Sequence, residues 1–198
     1  MHDQTDVITF IKENPFGILV NNNNDEIWAT HLPMMIIADK DGKLKLQGHV
    51  AKKNIAWKHF KHDPDVLAIF HGPHSYISSS WYEFEEVPTW NYLAVHVYGK
   101  IRILDSKELW DHLKSLTDTF EKGSKKPVKI EALSDKTMNQ IGGIVGFEIN
   151  VSKTHPVEKL SQGHSEETIK NVVKNLKETN NAQAKKIAEE MQRKNSSN

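Results

Sequence analysis

The sequence predicts a mainly β fold with peripheral helices, in which antiparallel strands close or nearly close into a barrel. Three observations carry that expectation. Segments such as "KLKLQG" and "LAVHVYGKIRIL" alternate apolar and polar residues with the period of a half-buried strand. Turn compositions, "NNNND" and "ADKDGK", separate the early strands closely enough to pair them as a meander. Helical stripes are confined to a few stretches, too few for the repeated crossovers of a parallel sheet.

Taken in order, Val7, Ile8, Phe10 and Ile11 form the apolar stripe of a short helix that Asp3 or Thr5 can cap and "NPFG" ends. Residues 16–20 and 27–37 then read as a hairpin across the Asn tract, and Leu44 and Leu46 share one face of a third strand. "HVAKKNIAWKHFKHDP" changes period. Ala51, Ile55, Trp57 and Phe60 suit a helix that Asp63-Pro64 stops. "DVLAIFHG" reads as a short buried strand, and residues 95–103 as a long half-buried one. Asp105 and Glu108 frame a capping box for a helix carrying Leu109, Leu113, Leu116 and Phe120. Ser134 caps a further short helix, and "GGIVGFEINVS" is the last strand. Ile169, Val172, Val173 and Leu176 then mark a C-terminal helix, and the polar remainder is expected to project or fray. The expected division is a barrel domain over residues 1–160 and a helical extension over 161–198.

Composition limits the chemistry. The 198 residues include 26 basic and 26 acidic side chains, so no net field draws the chain to nucleic acid or an anionic membrane. The absence of cysteine excludes a disulfide framework and thiolate catalysis. No apolar run approaches the roughly 20 residues of a membrane span, and the N-terminus lacks a signal-peptide core, so a cytoplasmic protein is expected.

Eleven histidines invite a metal reading, and His59/His62 and His71/His74 are suitably spaced, but no carboxylate completes a metal signature. The serines of "SYISSSWY" lack a glycine-flanked nucleophile elbow. "QGHVAKKN" is a better candidate. A glycine at a strand end, then Lys52 and Lys53 at a predicted helix start, would suit a phosphate. A solvated basic turn explains the same residues. Trp57 and Trp110 sit on helical stripes and read as core. Trp81 and Trp90 flank an acidic loop, where a planar ligand could stack.

"ATHLP", "GHVAKKN", "IFHGPHSYISSSWY", "VPTWNYLAVHVYG" and "KLSQ" occur in this order, and together they resemble the PaiB family of FMN-binding negative transcriptional regulators. The resemblance spans residues 7–176. Three departures stand out: Ser79 replaces a common proline, Ile55 follows Asn54 where proline is usual, and His164 replaces an arginine.

The resemblance implies an antiparallel, Greek-key split barrel of six strands, an FMN-binding homodimer with the cofactor at the dimer interface. It places the phosphate at Gly48, His49, Lys52, Lys53 and Asn54, and the isoalloxazine edge along Thr30, His31, Leu32 and Pro33. Trp81, Thr89, Trp90 and Asn91 complete the implied cleft. DNA binding would rest on local basic patches such as "EKGSKKPVK". The alternative is a flavin-dependent enzyme, a reductase, small-molecule oxidase or haem-handling protein, with His31, His49 and His96 as acid–base groups.

Overall fold

The computed structural model describes residues 3–23 and 26–195. Helix α1 (Gln4–Glu13) begins where Asp3 accepts a hydrogen bond from the Asp6 amide at 2.9 Å, and it buries Val7, Phe10 and Ile11. Asn14 closes it, since both its backbone N–H and its side-chain amide donate to the Phe10 carbonyl. Strands β1 (Phe16–Asn23) and β2 (Glu26–Pro33) pair antiparallel, with Phe16 opposite Pro33 and Asn22 opposite Ile27. The predicted turn at Asn24 and Asp25 lies outside the described residues.

The single strand expected over 27–37 is broken in two. Met34 is fully buried and its N–H donates to the Pro15 carbonyl, the next position of the β1–β2 register, where the ladder ends because Pro15 has no N–H to return a bond. β3 (Met35–Ala38) therefore pairs with β4 (Leu44–Ala51), not with β1. Asp39 tightens the turn between them by accepting from the Asp41 and Lys43 amides, and Gly42 takes the left-handed conformation there, at φ 76°.

The helix expected over 51–62 is replaced by one turn of 3-10 helix at Ile55–Lys58. Pairing decides this: β4 follows β7 (Ile144–Lys159) as far as Ala51 opposite Ile144, which holds the start of the segment extended. Phe60 is buried as predicted, but Ala51 and Ile55 face solvent. β5 (Asp65–Ile77) is longer than predicted and runs straight through "HGPHSY", so the acidic loop is confined to the residues between it and β6 (Thr89–Ile103).

The seven strands form one sheet in the order β2-β1-β5-β6-β7-β4-β3. β1 beside β5 and β4 beside β7 are the long-range antiparallel returns of a Greek-key arrangement. The hydrogen-bonded order does not close, leaving β2 and β3 as edges, and it has one strand more than the expected six. Leu32 of β2 nevertheless packs on Gly48 of β4. The mainly antiparallel β fold with peripheral helices stands.

Two compact units are present among the described residues. One comprises residues 3–70 and 96–155. Its core includes Leu19, Leu46, Phe70 and Ile149, with Phe60 packed edge-on to Phe147 at 5.7 Å between centroids. Its α2 (Ser106–Phe120) has the predicted reciprocal capping box between Asp105 and Glu108. Leu109 and Leu113 join Leu104 and Ile130 in a satellite cluster, supported by Trp110. Leu116 is only half-buried and Phe120 is exposed. Ser134 caps the short α3 (Asp135–Met138) as expected.

The other unit comprises residues 71–95 and 156–195. Ser165 caps α4 (Glu166–Glu178), which buries Val172, Val173 and Leu176. The polar segment beyond it does not project: it forms α5 (Ala182–Asn195), whose Ala184, Ile187, Ala188 and Met191 are buried. That spacing is a helical stripe made narrow by its alanines.

Candidate functional site

In the first unit, the end of β4 and the turn after it stand beside β2. Asn54 bridges them: its amide donates to Thr30 Oγ1 at 3.1 Å, while its carbonyl oxygen caps the 3-10 turn by accepting from the Ala56 N–H at 2.9 Å. The turn is further fixed by Lys52 N–H to the Gly143 carbonyl and by Trp57 Nε1–H to the Lys52 carbonyl, at 2.8 and 3.0 Å. Trp57 is thus a half-buried brace and not core. With its backbone so held, the turn presents both Lys52 and Lys53 side chains to solvent. His31 is exposed on β2 and stacks with Phe16, which is 64 % exposed, at 6.5 Å and an interplanar angle of 30°. Pro33 is half-buried.

This donor set suits a flavin phosphate chemically: two ammonium groups with an amide and a hydroxyl alongside. An exposed aromatic pair, Phe16 and His31, spans β1 and β2. The helix-dipole argument for this turn fails, because a four-residue 3-10 turn has no appreciable macrodipole.

Three residues of the predicted set in this unit look elsewhere. Leu32 and Gly48 are buried against each other and against Phe147. A β-carbon on Gly48 would lie 2.7 Å from Phe147 Cζ, so the glycine serves close packing. His49 points to the opposite face of β4, where its Nδ1 is 3.3 Å from Nε2 of His112 on α2. His112 is 1 % exposed and its Nδ1 has no hydrogen-bond partner among the described residues. Burial, then the neighbouring His49, pushes the His112 pKa down to about 4, and burial also lowers that of His49. Sequence reading missed His112, although it lies on the buried face of α2 beside Leu109 and Leu113.

The same face carries an ion network. Glu148, almost fully buried, accepts from Gln47 at 2.9 Å and from Arg102 at 2.8 Å, and pairs with Lys45 at 3.2 Å. Burial alone would raise its carboxyl pKa, but these three partners outweigh it and the net shift is downward. Arg102 also grips Glu108 with two bonds, at 2.8 and 2.7 Å, and thereby holds that carboxyl down to about 2.

In the second unit, Trp90 is 52 % exposed at the start of β6, with His74 at 5.6 Å and Tyr76 edge-on at 6.2 Å. Thr89 beside it accepts from Lys159. Asn91 faces the other way. It is fully buried, and its amide donates to Ser161 Oγ at 2.9 Å and approaches Met191 Sδ at 3.5 Å. It is a structural clamp with no open face for a ligand. Trp81 is half-buried, and its carbonyl accepts from Asn171 of α4 at 2.7 Å. The predicted residues thus fall into two groups, one in each unit. Among the described residues, no helix is long and apolar enough to cross a membrane.

Comparison with known proteins converges on one family. Residues 1–153 match the family model described as "Putative FMN-binding domain". The chain is 42 % identical over 188 residues to the protease synthase and sporulation protein PAI 2 of Bacillus subtilis, covering 94 % of this chain and 90 % of that one. Two solved structures share the fold at low identity. The flavocytochrome Anf3 of Azotobacter vinelandii gives a TM-score of 0.61 at 15 % identity, over 85 % of this chain and 73 % of its own. An FAD- and haem-binding protein of Mycobacterium smegmatis gives 0.63 at 12 %, over 86 % and 78 %. With the family match, the near full-length relative and the shared fold in agreement, the chain belongs to the PaiB-type family of FMN-binding domains, and FMN is its cofactor.

Proposed function

We propose that the protein is an FMN-binding negative regulator of transcription that acts as a homodimer, with the flavin phosphate held at the turn after β4. The observation that carries the phosphate assignment is the braced turn itself: Lys52 and Lys53 are exposed while Asn54 ties their backbone to Thr30. In this reading the two lysines neutralise the phosphate, Thr30 and Asn54 orient it, and His31 and Pro33 line the approach to the ring. Bound FMN supplies a redox-active isoalloxazine, and the protein's part is to position it. Trp90 offers the stacking surface that the dimer would bring to a flavin.

The homodimer reading is supported by aromatic exposure in the second unit. Tyr76, Trp90 and Tyr92 are 47, 52 and 36 % exposed, a grouping that solvent alone does not favour. The regulatory reading is supported by Lys122, Lys125, Lys126 and Lys129, all solvent-exposed on the connection after α2. Two copies of that connection in a dimer would give DNA two basic contacts.

Titration with FMN tests the phosphate assignment. Lys52→Ala/Lys53→Ala is expected to weaken binding roughly tenfold or more, the scale of losing charge-assisted hydrogen bonds. Unchanged affinity places the phosphate elsewhere. For DNA, affinity should fall steeply with salt, and neutralising the four lysines should flatten that slope. An unaltered slope removes this connection from the regulatory reading.

A further inference from the structure

The second unit contains a cleft of about 650 Å³ between α4, α5 and the turn that follows β7. That volume lies within the range of small-molecule sites. Leu160, Ile169, Val173 and Met191 supply apolar lining, and Lys170 and Lys194 bring ammonium groups from the two helices. None of these residues belongs to the phosphate turn.

The apolar lining is well fixed. Leu160, Val173 and Met191 are almost fully buried, and Met191 is held from behind by the Asn91 amide. Asn91 also fixes Ser161, which adopts φ 59° and so turns the chain sharply beside Leu160. A non-glycine residue held in that conformation costs free energy that the surrounding bonds must offset.

Both lysines already engage carboxylates. Lys194 pairs with Glu158, and Lys170 with Glu166 at 3.4 Å. The second pair is 77 and 90 % exposed, so solvent screening makes it weak and easily exchanged for a ligand carboxylate. We infer that this cleft is a binding site for a small carboxylate with a bulky apolar body, the body against Leu160, Val173 and Met191 and the carboxylate at Lys170 and Lys194. The site shares no residue with the flavin turn and would act as an effector site. The lining sets two ammonium groups against the one carboxylate of Glu166, so an organic cation is disfavoured.

Calorimetric titration of the FMN-loaded protein with 2-naphthoate tests the inference, with 2-naphthylmethylammonium as the opposite-charge control. Saturable binding of the acid and at least tenfold weaker binding of the amine are expected. Lys170 is exposed and Lys194 is half-buried against Glu158, so Lys170→Gln/Lys194→Gln, its fold checked by circular dichroism, should weaken the acid roughly tenfold or more. Ile169→Trp should fill the cleft and abolish binding while leaving FMN affinity unchanged, its fold checked by circular dichroism. Absence of saturable 2-naphthoate binding to the parent protein up to millimolar concentration overturns the proposal. So does equal binding of the amine, or undiminished binding by the double glutamine variant.

Discussion

A methyl group added to Gly48 would meet Phe147 Cζ at 2.7 Å and Leu32 Cδ1 at 3.2 Å, and both neighbours belong to the core. Gly48→Ala is therefore expected to destabilise the fold by about 1–3 kcal/mol, the usual cost of overpacking. A lowered denaturation midpoint with an unchanged slope would show it, and an unaltered midpoint would show that Phe147 can give way. His112 makes a second residue-scale prediction. Its neutral form is the one that fits, because its folded pKa, about 4, lies below its ordinary value of 6.5. The unfolded chain thus binds the proton more readily, and stability is full above 6.5 and declines as pH falls toward 4. The shift corresponds to on the order of 3 kcal/mol. His112→Leu should flatten that decline, measured by denaturation between neutral and mildly acid pH. A decline as steep as the parent's would remove His112 as its source. Neither residue's role was legible in the sequence. Gly48 read as the glycine of an anion loop, since the ring that fills its missing side chain lies on a strand far along the chain. His112 becomes a buried imidazole only because α2 lies over β4.

Strand pairing explains which elements could be anticipated. α1, α2 and α4 carry their own signals, a capping side chain and an apolar stripe, and each forms where local sequence dictates. The segment after Gly48 has helical spacing too, but its first residues are taken into the β4–β7 ladder, and the remainder manages one 3-10 turn. The outcome alters the phosphate argument: with no helix dipole there, the lysines must supply the charge. α5 fails in the opposite direction. Its buried stripe of Ala184, Ile187, Ala188 and Met191 was present in the sequence, hidden by small alanines among many charges. Because Ile187 is wholly buried, Ile187→Ala should cost about 2–4 kcal/mol. Chemical denaturation checks this, and a negligible loss would mean that α5 contributes little to the unit it packs in.

The mainly β architecture was legible from alternation and turn spacing alone, and the cofactor class came from the ordered set of short motifs. The extra strand was not, since the division at Met34 depends on residues 35–38 finding β4 as their partner once the β1–β2 ladder ends. Of the predicted contacts, Thr30 and Asn54 are hydrogen-bonded and His31, Lys52 and Lys53 are exposed, whereas Leu32, Gly48 and Asn91 are packed away and His49 turns to His112. A strand motif records which residues recur together and does not distinguish those that touch a ligand from those that hold the strand in place. Dimerisation is the assembly-scale prediction. Light scattering should give about twice the 22.7 kDa chain mass, and Trp90→Glu should shift the distribution toward monomer. A monomeric parent protein would contradict the proposed assembly. The most direct test of the central claim is the visible absorption spectrum of the purified protein before and after addition of FMN, read with its melting temperature. Protein-associated flavin bands and an FMN-dependent rise in melting temperature are predicted, because a ligand that binds only the folded state stabilises it. No retained flavin absorption and no change in melting temperature at saturating FMN would contradict it.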